Sequence, residues 1–117
     1  MSLPVDVNEE ALPVPAGYRI LIAIPPRDDK IGSIYLPDSL KDKEQTASIV
    51  GCVMRLGPDA YLDQDKYPSG PWCTVGDWVV FRAYSGTRIK IDGQEFRLIN
   101  DDTVEGVVDD PRKIVRA

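Results

Sequence analysis

Apolar positions along the chain fall in short runs rich in β-branched residues: Tyr18-Arg19-Ile20-Leu21-Ile22-Ala23-Ile24, Ser48-Ile49-Val50-Gly51-Cys52-Val53-Met54 and Trp78-Val79-Val80-Phe81. Runs of this kind predict strands, and their near-continuous apolar character predicts burial on both faces, as in a small barrel. Gly51 inside its run predicts a bulge or sharp bend. From Thr87 to Ile99 the pattern changes to alternation around Asp92-Gly93, a pair suited to a two-residue type I′ turn. That turn sets Ile91 against Gln94, Ile89 against Phe96 and Thr87 against Leu98. Ile89, Ile91, Phe96 and Leu98 then share a buried face. The charged pair Lys90 and Glu95 shares a wet one, on which Arg88 faces Arg97 as a like-charge mismatch. A last short strand is expected over 103–108, before a charged tail closed by Pro111. Helical periodicity nowhere exceeds about two turns, and there is no repeat or low-complexity tract. The expected class is all-β, an irregular small barrel.

Two segments interrupt the strand pattern. Between 28 and 46 lie Asp28, Asp29, Lys30, Asp38, Lys41, Asp42, Lys43 and Glu44, and inside this polar stretch sits an apolar island, Ile34-Tyr35-Leu36, introduced by Gly32-Ser33 and ended by Pro37. A loop this long in a small domain is usually functional or disordered. The island reads either as a hook on a flexible arm that orders in a partner's groove, or as one more strand followed by a helical turn capped by Asp38 or Ser39. The second interruption runs over 57–73, where Gly57-Pro58 and Gly70-Pro71 bracket Tyr61, Tyr67 and Trp72 among acidic residues. Its aromatics form a binding surface if exposed, although packing against their own domain is the commoner outcome for such an excursion.

Composition narrows the chemistry. The chain has 117 residues, 43% of them hydrophobic and 28% charged, which suits one globular domain with a modest core and favours self-association. Fourteen Lys and Arg against 19 Asp and Glu give a net charge of −5, the wrong sign for neutralising phosphates, so nucleic acid is not an expected partner. There is no histidine, which removes His-based triads, His acid–base catalysis and most catalytic zinc sites together. Cys52 and Cys73 lack a C-x-x-C spacing and read as two buried free thiols. Neighbouring carboxylates such as Asp101-Asp102 and Asp109-Asp110 point apart on a strand and read as solvated surface rather than a cation site. No catalytic residue and no metal ligand is assigned. The acidic, proline-broken start lacks the pattern of an export signal, and the apolar run from Ile20 to Ile24 is far short of a membrane span. A soluble, cytoplasmic protein is expected.

The ordered set of pieces resembles the GroES co-chaperonins. The residues that carry the resemblance are Pro15-Ala16-Gly17-Tyr18-Arg19-Ile20-Leu21-Ile22, the apolar-tipped loop, Ile49-Val50-Gly51-Cys52-Val53, Leu56-Gly57-Pro58 and Val75-Gly76-Asp77-Trp78-Val79-Val80-Phe81. Lys90-Ile91-Asp92-Gly93-Gln94-Glu95-Phe96 and Asp102-Thr103-Val104-Glu105-Gly106-Val107-Val108 complete it. The similarity divides the chain into an extension over 1–13, a GroES-like barrel over 14–108 and a tail over 109–117. It implies a seven-fold ring of protomers in which the first strand, Tyr18 to Ile24, pairs with the last strand of a neighbour, Thr103 to Val108.

By the same resemblance 28–46 is the mobile loop, with Gly32 and Ser33 as its hinge. Ile34, Tyr35 and Leu36 are then the tripeptide that binds the apical grooves of a GroEL-type chaperonin. The excursion over 57–73 takes the place of a roof, whose hairpin the segment Tyr61 to Cys73 fits poorly, and Tyr84 stands near the position of a tyrosine that faces the cavity and touches enclosed client protein. The implied activity is an ATP-dependent lid without enzymatic chemistry. The nucleotide belongs to the partner, because this chain has neither a P-loop nor a G-x-G-x-x-G fingerprint. The terminal extensions and the unusual excursion fit a divergent member, such as a phage-encoded lid acting in the host cytoplasm. The alternative of another class is a small-barrel structural or adaptor protein, for example a virion component, that grips a different partner with the same loop.

Overall fold

Ile20, Ile22 and Ile24 enter one apolar cluster while Leu21 and Ala23 enter another, so the first apolar run is buried on both faces as its composition predicts. The computed structural model describes residues 11–25, 48–114 and 117, together with the backbone of 30–31 and 34–35. The strands are β1 Arg19–Ala23, β2 Lys30–Ile31, β3 Ile34–Tyr35, β4 Val50–Leu56, β5 Trp78–Phe81, β6 Thr87–Ile91, β7 Gln94–Asn100 and β8 Val104–Val108. Six of them form one antiparallel sheet in the order β6-β7-β1-β4-β5-β8. The sheet curls on itself. The Arg97 guanidinium of β7 lies 5.6 Å from the centroid of the Phe81 ring of β5, although β1 and β4 separate those strands in the hydrogen-bonded order. The interior of the curl holds Ile20, Ile22, Ile24, Val53, Val79, Phe81, Ile99 and Val104. On the outside of β1, Leu21, Ala23, Cys52, Met54 and Phe96 pack with Trp78, Ile89, Ile91 and Leu98. Leu12, from the N-terminal extension, is 5% exposed and closes this second cluster, so the end of the extension is part of the core.

The expected hairpin register is found: Thr87 pairs with Leu98, Ile89 with Phe96 and Ile91 with Gln94. Asp92 and Gly93 have φ of 51° and 82°, as a type I′ turn requires. The assignment of its polar face needs correction. Glu95 and Arg97 are 2% and 0% exposed, because β7 is flanked by β6 and β1, and Arg97 stands opposite Ile22 on the interior face of the curl. The ion pairs also differ from the expected cross-strand one. Glu95 pairs with Arg88 at 2.7 Å and with Arg97 at 3.3 Å, so one carboxylate lies between the two facing arginines and removes their mismatch.

Gly51 is not a bulge. It stands in regular register opposite Val79, and a Cβ there would come within 2.2 Å of Ile22 Cγ2 and 2.9 Å of the Ala23 carbonyl oxygen. The glycine permits β1 and β4 to approach closely. The irregularity lies three residues on, where Leu21 pairs with Arg55 and Ile22 with Val53, leaving Met54 as the extra residue.

A second correction concerns β1. It is paired with β4 along one edge and β7 along the other, so the Tyr18 to Ile24 strand has no open edge to offer a neighbour. β8 differs, because it ends the sheet order and pairs only with β5 among the described residues.

The 57–73 excursion contains no hairpin and consists of successive turns folded onto the barrel. Tyr61 and Tyr67 are buried, and Trp72 packs edge-on to Tyr67 with ring centroids 4.9 Å apart while remaining 44% exposed. Packing against the domain therefore accounts for two of the three aromatics. Tyr61 sits in the left-handed region at φ 60° and is held by Asp101. Its backbone N–H donates to Asp101 Oδ2 at 3.0 Å and its hydroxyl donates to the Asp101 carbonyl at 2.8 Å. Asp101 is 3% exposed in a 3-10 turn, Asp101–Thr103, so its reading as solvated surface is also corrected. Its neighbour Asp102 is exposed and pairs with Lys66 at 2.6 Å.

Both cysteines are free and buried, and burial pushes each thiol above its ordinary range. A raised pKa keeps the sulfur protonated and unreactive near neutrality. A disulfide reagent at pH 8 is expected to modify Cys52 and Cys73 at least about a hundredfold more slowly in the native protein than in urea. Rapid modification of either thiol without unfolding would contradict their burial.

Candidate functional site

The long loop leaves the barrel after β1 and returns to it before β4. Two short strands within it, β2 and β3, pair antiparallel with Lys30 opposite Tyr35 and Ile31 opposite Ile34. They form a ribbon separate from the six-stranded sheet. Ile34 and Tyr35 are thus strand residues, as one of the two sequence readings has it, but they are not strands of the barrel. Gly32, Ser33, Leu36 and the suggested helical turn over 40–45 lie outside the described residues.

Both ends of this loop are tied to β7, and the returning end also to β5. At the departing end, the Ile24 N–H donates to the Glu95 carbonyl at 3.0 Å, and the Gln94 side-chain amide donates to the Ile24 carbonyl. At the returning end, the Arg97 guanidinium donates to the Ser48 carbonyl at 3.4 Å, and the Phe81 N–H donates to the Ile49 carbonyl at 2.9 Å. Arg97 is in turn braced by Glu95 and by the face of Phe81. Desolvation lowers the Arg97 pKa, and the neighbouring Glu95 carboxylate opposes that shift. An arginine starts so far above neutrality that it stays charged, which is why its burial requires the carboxylate. Sequence reading missed these anchors. The one available signal was Arg88 opposite Arg97, a pairing that is tolerable only with an anion between them.

Tyr84 lies in the turn between β5 and β6, 63% exposed and at φ 65°. The end of the sheet order offers a shallow groove of about 420 Å³ lined by Trp72, Val104, Glu105, Gly106 and Val107. Among the described residues no three His, Cys, Asp or Glu side chains come together as a metal site, and no helix is long and apolar enough to cross a membrane.

A curled antiparallel sheet whose strands β1 and β4 are joined by a long loop carrying its own ribbon defines a small-barrel protein. The family model described as the chaperonin 10 kDa subunit matches residues 14–108. Co-chaperonins GroES of Caldicellulosiruptor saccharolyticus and Caldicellulosiruptor bescii are each 37% identical to the chain over 97 residues, covering 82% of it and 96% of the relative. The chain belongs to the GroES family of co-chaperonins.

Proposed function

We propose that this co-chaperonin assembles into a homo-oligomeric ring, seven-fold as its family resemblance implies, and caps a GroEL-type chaperonin when that partner holds ATP. Client protein is enclosed beneath the cap in the cytoplasm. Ile34, Tyr35 and Leu36 enter apolar grooves on the partner, Gly32 and Ser33 form the hinge beside them, and Tyr84 faces the enclosed space. The chain contributes no catalytic group and no cofactor of its own.

The observation that carries this reading is the position of Ile34 and Tyr35 in a ribbon outside the barrel sheet, on a segment anchored at both ends. Ring formation is supported by β8, whose outer edge is unpaired among the described residues and whose Val107 is 48% exposed. Edge strands of this kind accept an extended segment from another chain.

The energetics suit a lid. Burying an Ile or Leu side chain in a groove stabilises by about 1.5–3 kcal/mol, and ordering a flexible loop offsets several kcal/mol of the gain. One loop therefore binds weakly, whereas a ring with several identical hooks makes each later contact intramolecular. A nucleotide need only change each groove slightly to switch capping on or off.

Sedimentation of the pure protein with a bacterial chaperonin tests the proposal. A ring-sized species alone and a co-sedimenting complex that requires ATP are expected. A monomer that ignores the chaperonin in either nucleotide condition would point instead to an adaptor with a different partner.

A further inference from the structure

The side-chain anchors at the two ends of the loop come from one hairpin arm, β7. A buried strand position opposite Ile22 ordinarily takes an aliphatic residue. Here it is Arg97, fully buried and paired with Glu95. A buried ion pair is often no more stabilising than well-packed apolar residues of similar volume, so its presence asks for a purpose other than stability. Its contacts supply one. The guanidinium donates to the carbonyl of Ser48, the first described residue after the loop, and lies over Phe81, whose N–H holds Ile49. Gln94, three positions earlier on the same strand, donates to the carbonyl of Ile24, immediately before the loop departs. Glu95 joins the two sides, because its carbonyl accepts from the Ile24 N–H and its carboxylate holds both Arg97 and Arg88.

We propose that Gln94, Glu95 and Arg97 form a clamp on the base of the chaperonin-binding loop, making them positioning residues for capping. The inference rests on the lid reading above. The clamp fixes where the loop departs, at Ile24, and where it returns, at Ser48. Fixed loop bases reduce the conformational freedom lost on binding and keep every hook of a ring within reach of its groove. Loosening the base adds conformational freedom that each protomer must give up on binding, and the loss is multiplied over all engaged loops. Arg88, partly exposed on the edge strand β6, tethers the Glu95 carboxylate from outside.

Two substitutions of similar volume test the clamp in the full-length ring. Gln94→Met removes the donor to Ile24 at a part-buried position, and Arg97→Met removes the donor to Ser48. Amide hydrogen exchange is read at Ile24 for the departing end and at Phe81 for the returning end, together with the ATP-dependent affinity for a GroEL-type chaperonin. With ring mass unchanged by sedimentation, each variant is expected to exchange about tenfold or more faster at its own end and to bind the chaperonin at least about tenfold more weakly. Arg97→Lys, which keeps the charge and a donor, is expected to recover part of the affinity.

Faster exchange with unchanged affinity would overturn the proposal, leaving the cluster as barrel structure alone. Unchanged exchange would overturn it as well. If Arg97→Met does not fold, Gln94→Met decides alone. The Ile34→Ala/Leu36→Ala variant, whose clamp is intact, separates the two levels of argument: normal capping by it removes the lid reading and the clamp's purpose with it. Lost capping by the hook variant alongside normal capping by both clamp variants refutes only the clamp.

Discussion

Replacing Asp101 with Ala is expected to lower the stability of the protein by about 3 kcal/mol. The carboxylate is buried and accepts the backbone N–H of Tyr61, which is itself buried and 40 positions distant in sequence. Removing the acceptor leaves that N–H without its partner inside the protein, at a cost of roughly 1–3 kcal/mol. It also releases Tyr61 from a left-handed backbone conformation that a bulky side chain rarely adopts unaided. With Tyr61 go its hydroxyl bond to the Asp101 carbonyl and its edge-on contact with Tyr67 at 4.9 Å. Burial and the neighbouring Cys73 and Asp101 push the Tyr61 pKa upward, so its hydroxyl remains a donor throughout the stable pH range. Asp101→Asn keeps a carbonyl oxygen able to accept from Tyr61 and is expected to cost only about 1 kcal/mol. Urea unfolding at one fixed protein concentration measures both variants, since assembly makes apparent stability concentration-dependent. Equal stability of Asp101→Ala and the parent protein would show that the excursion is held on by its aromatic packing alone.

Strand existence and hairpin register were legible in the sequence because they follow from local pattern. Ile20 to Ile24 announce a strand buried on both faces, and Asp92-Gly93 fixes every pairing from Thr87 to Leu98. Which face of β7 lies inside was not legible from the same pattern. Alternation correctly marks the face of Ile89, Ile91, Phe96 and Leu98 as buried, but it does not say that the curl encloses the face of Glu95 and Arg97 as well. Their placement depends on Ser48 and Arg88, residues outside the strand, with which they share hydrogen bonds and charge. The conformation of 57–73 was hidden for a related reason. Turn residues mark where a chain bends, but the excursion is fixed by Asp101, which the sequence places in an unremarkable acidic pair. Gly51 was read as a bulge or sharp bend, of which the bulge is excluded, because the close approach of Ile22 and Ala23 is visible only once the strands are paired. The island Ile34-Tyr35-Leu36 stands out in its charged stretch without knowledge of any contact, while its role as a hook belongs to the proposed function.

On the proposed lid reading, Ile34→Ala together with Leu36→Ala is expected to abolish capping while leaving the ring assembled. Each truncation forfeits about 1–2 kcal/mol of apolar burial in a partner groove, so one doubly substituted loop loses about 2–4 kcal/mol. In an isolated loop that weakens an already weak contact by roughly two orders of magnitude. In a ring the loss recurs at every hook. If about three loops must hold at once for the lid to stay seated, the combined loss is about 6–12 kcal/mol, or at least about four orders of magnitude in affinity. The barrel should be indifferent, because β2 and β3 belong to a ribbon separate from the main sheet, and the anchoring bonds at Ile24, Ser48 and Ile49 remain. Rings mixed from parent and substituted protomers give the sharper measurement. Affinity should fall steeply and nonlinearly as substituted subunits are added, since each one removes a hook from a shared scaffold. A linear decline would mean that the loops act independently, and an unchanged affinity would mean that Ile34 and Leu36 do not enter the grooves at all.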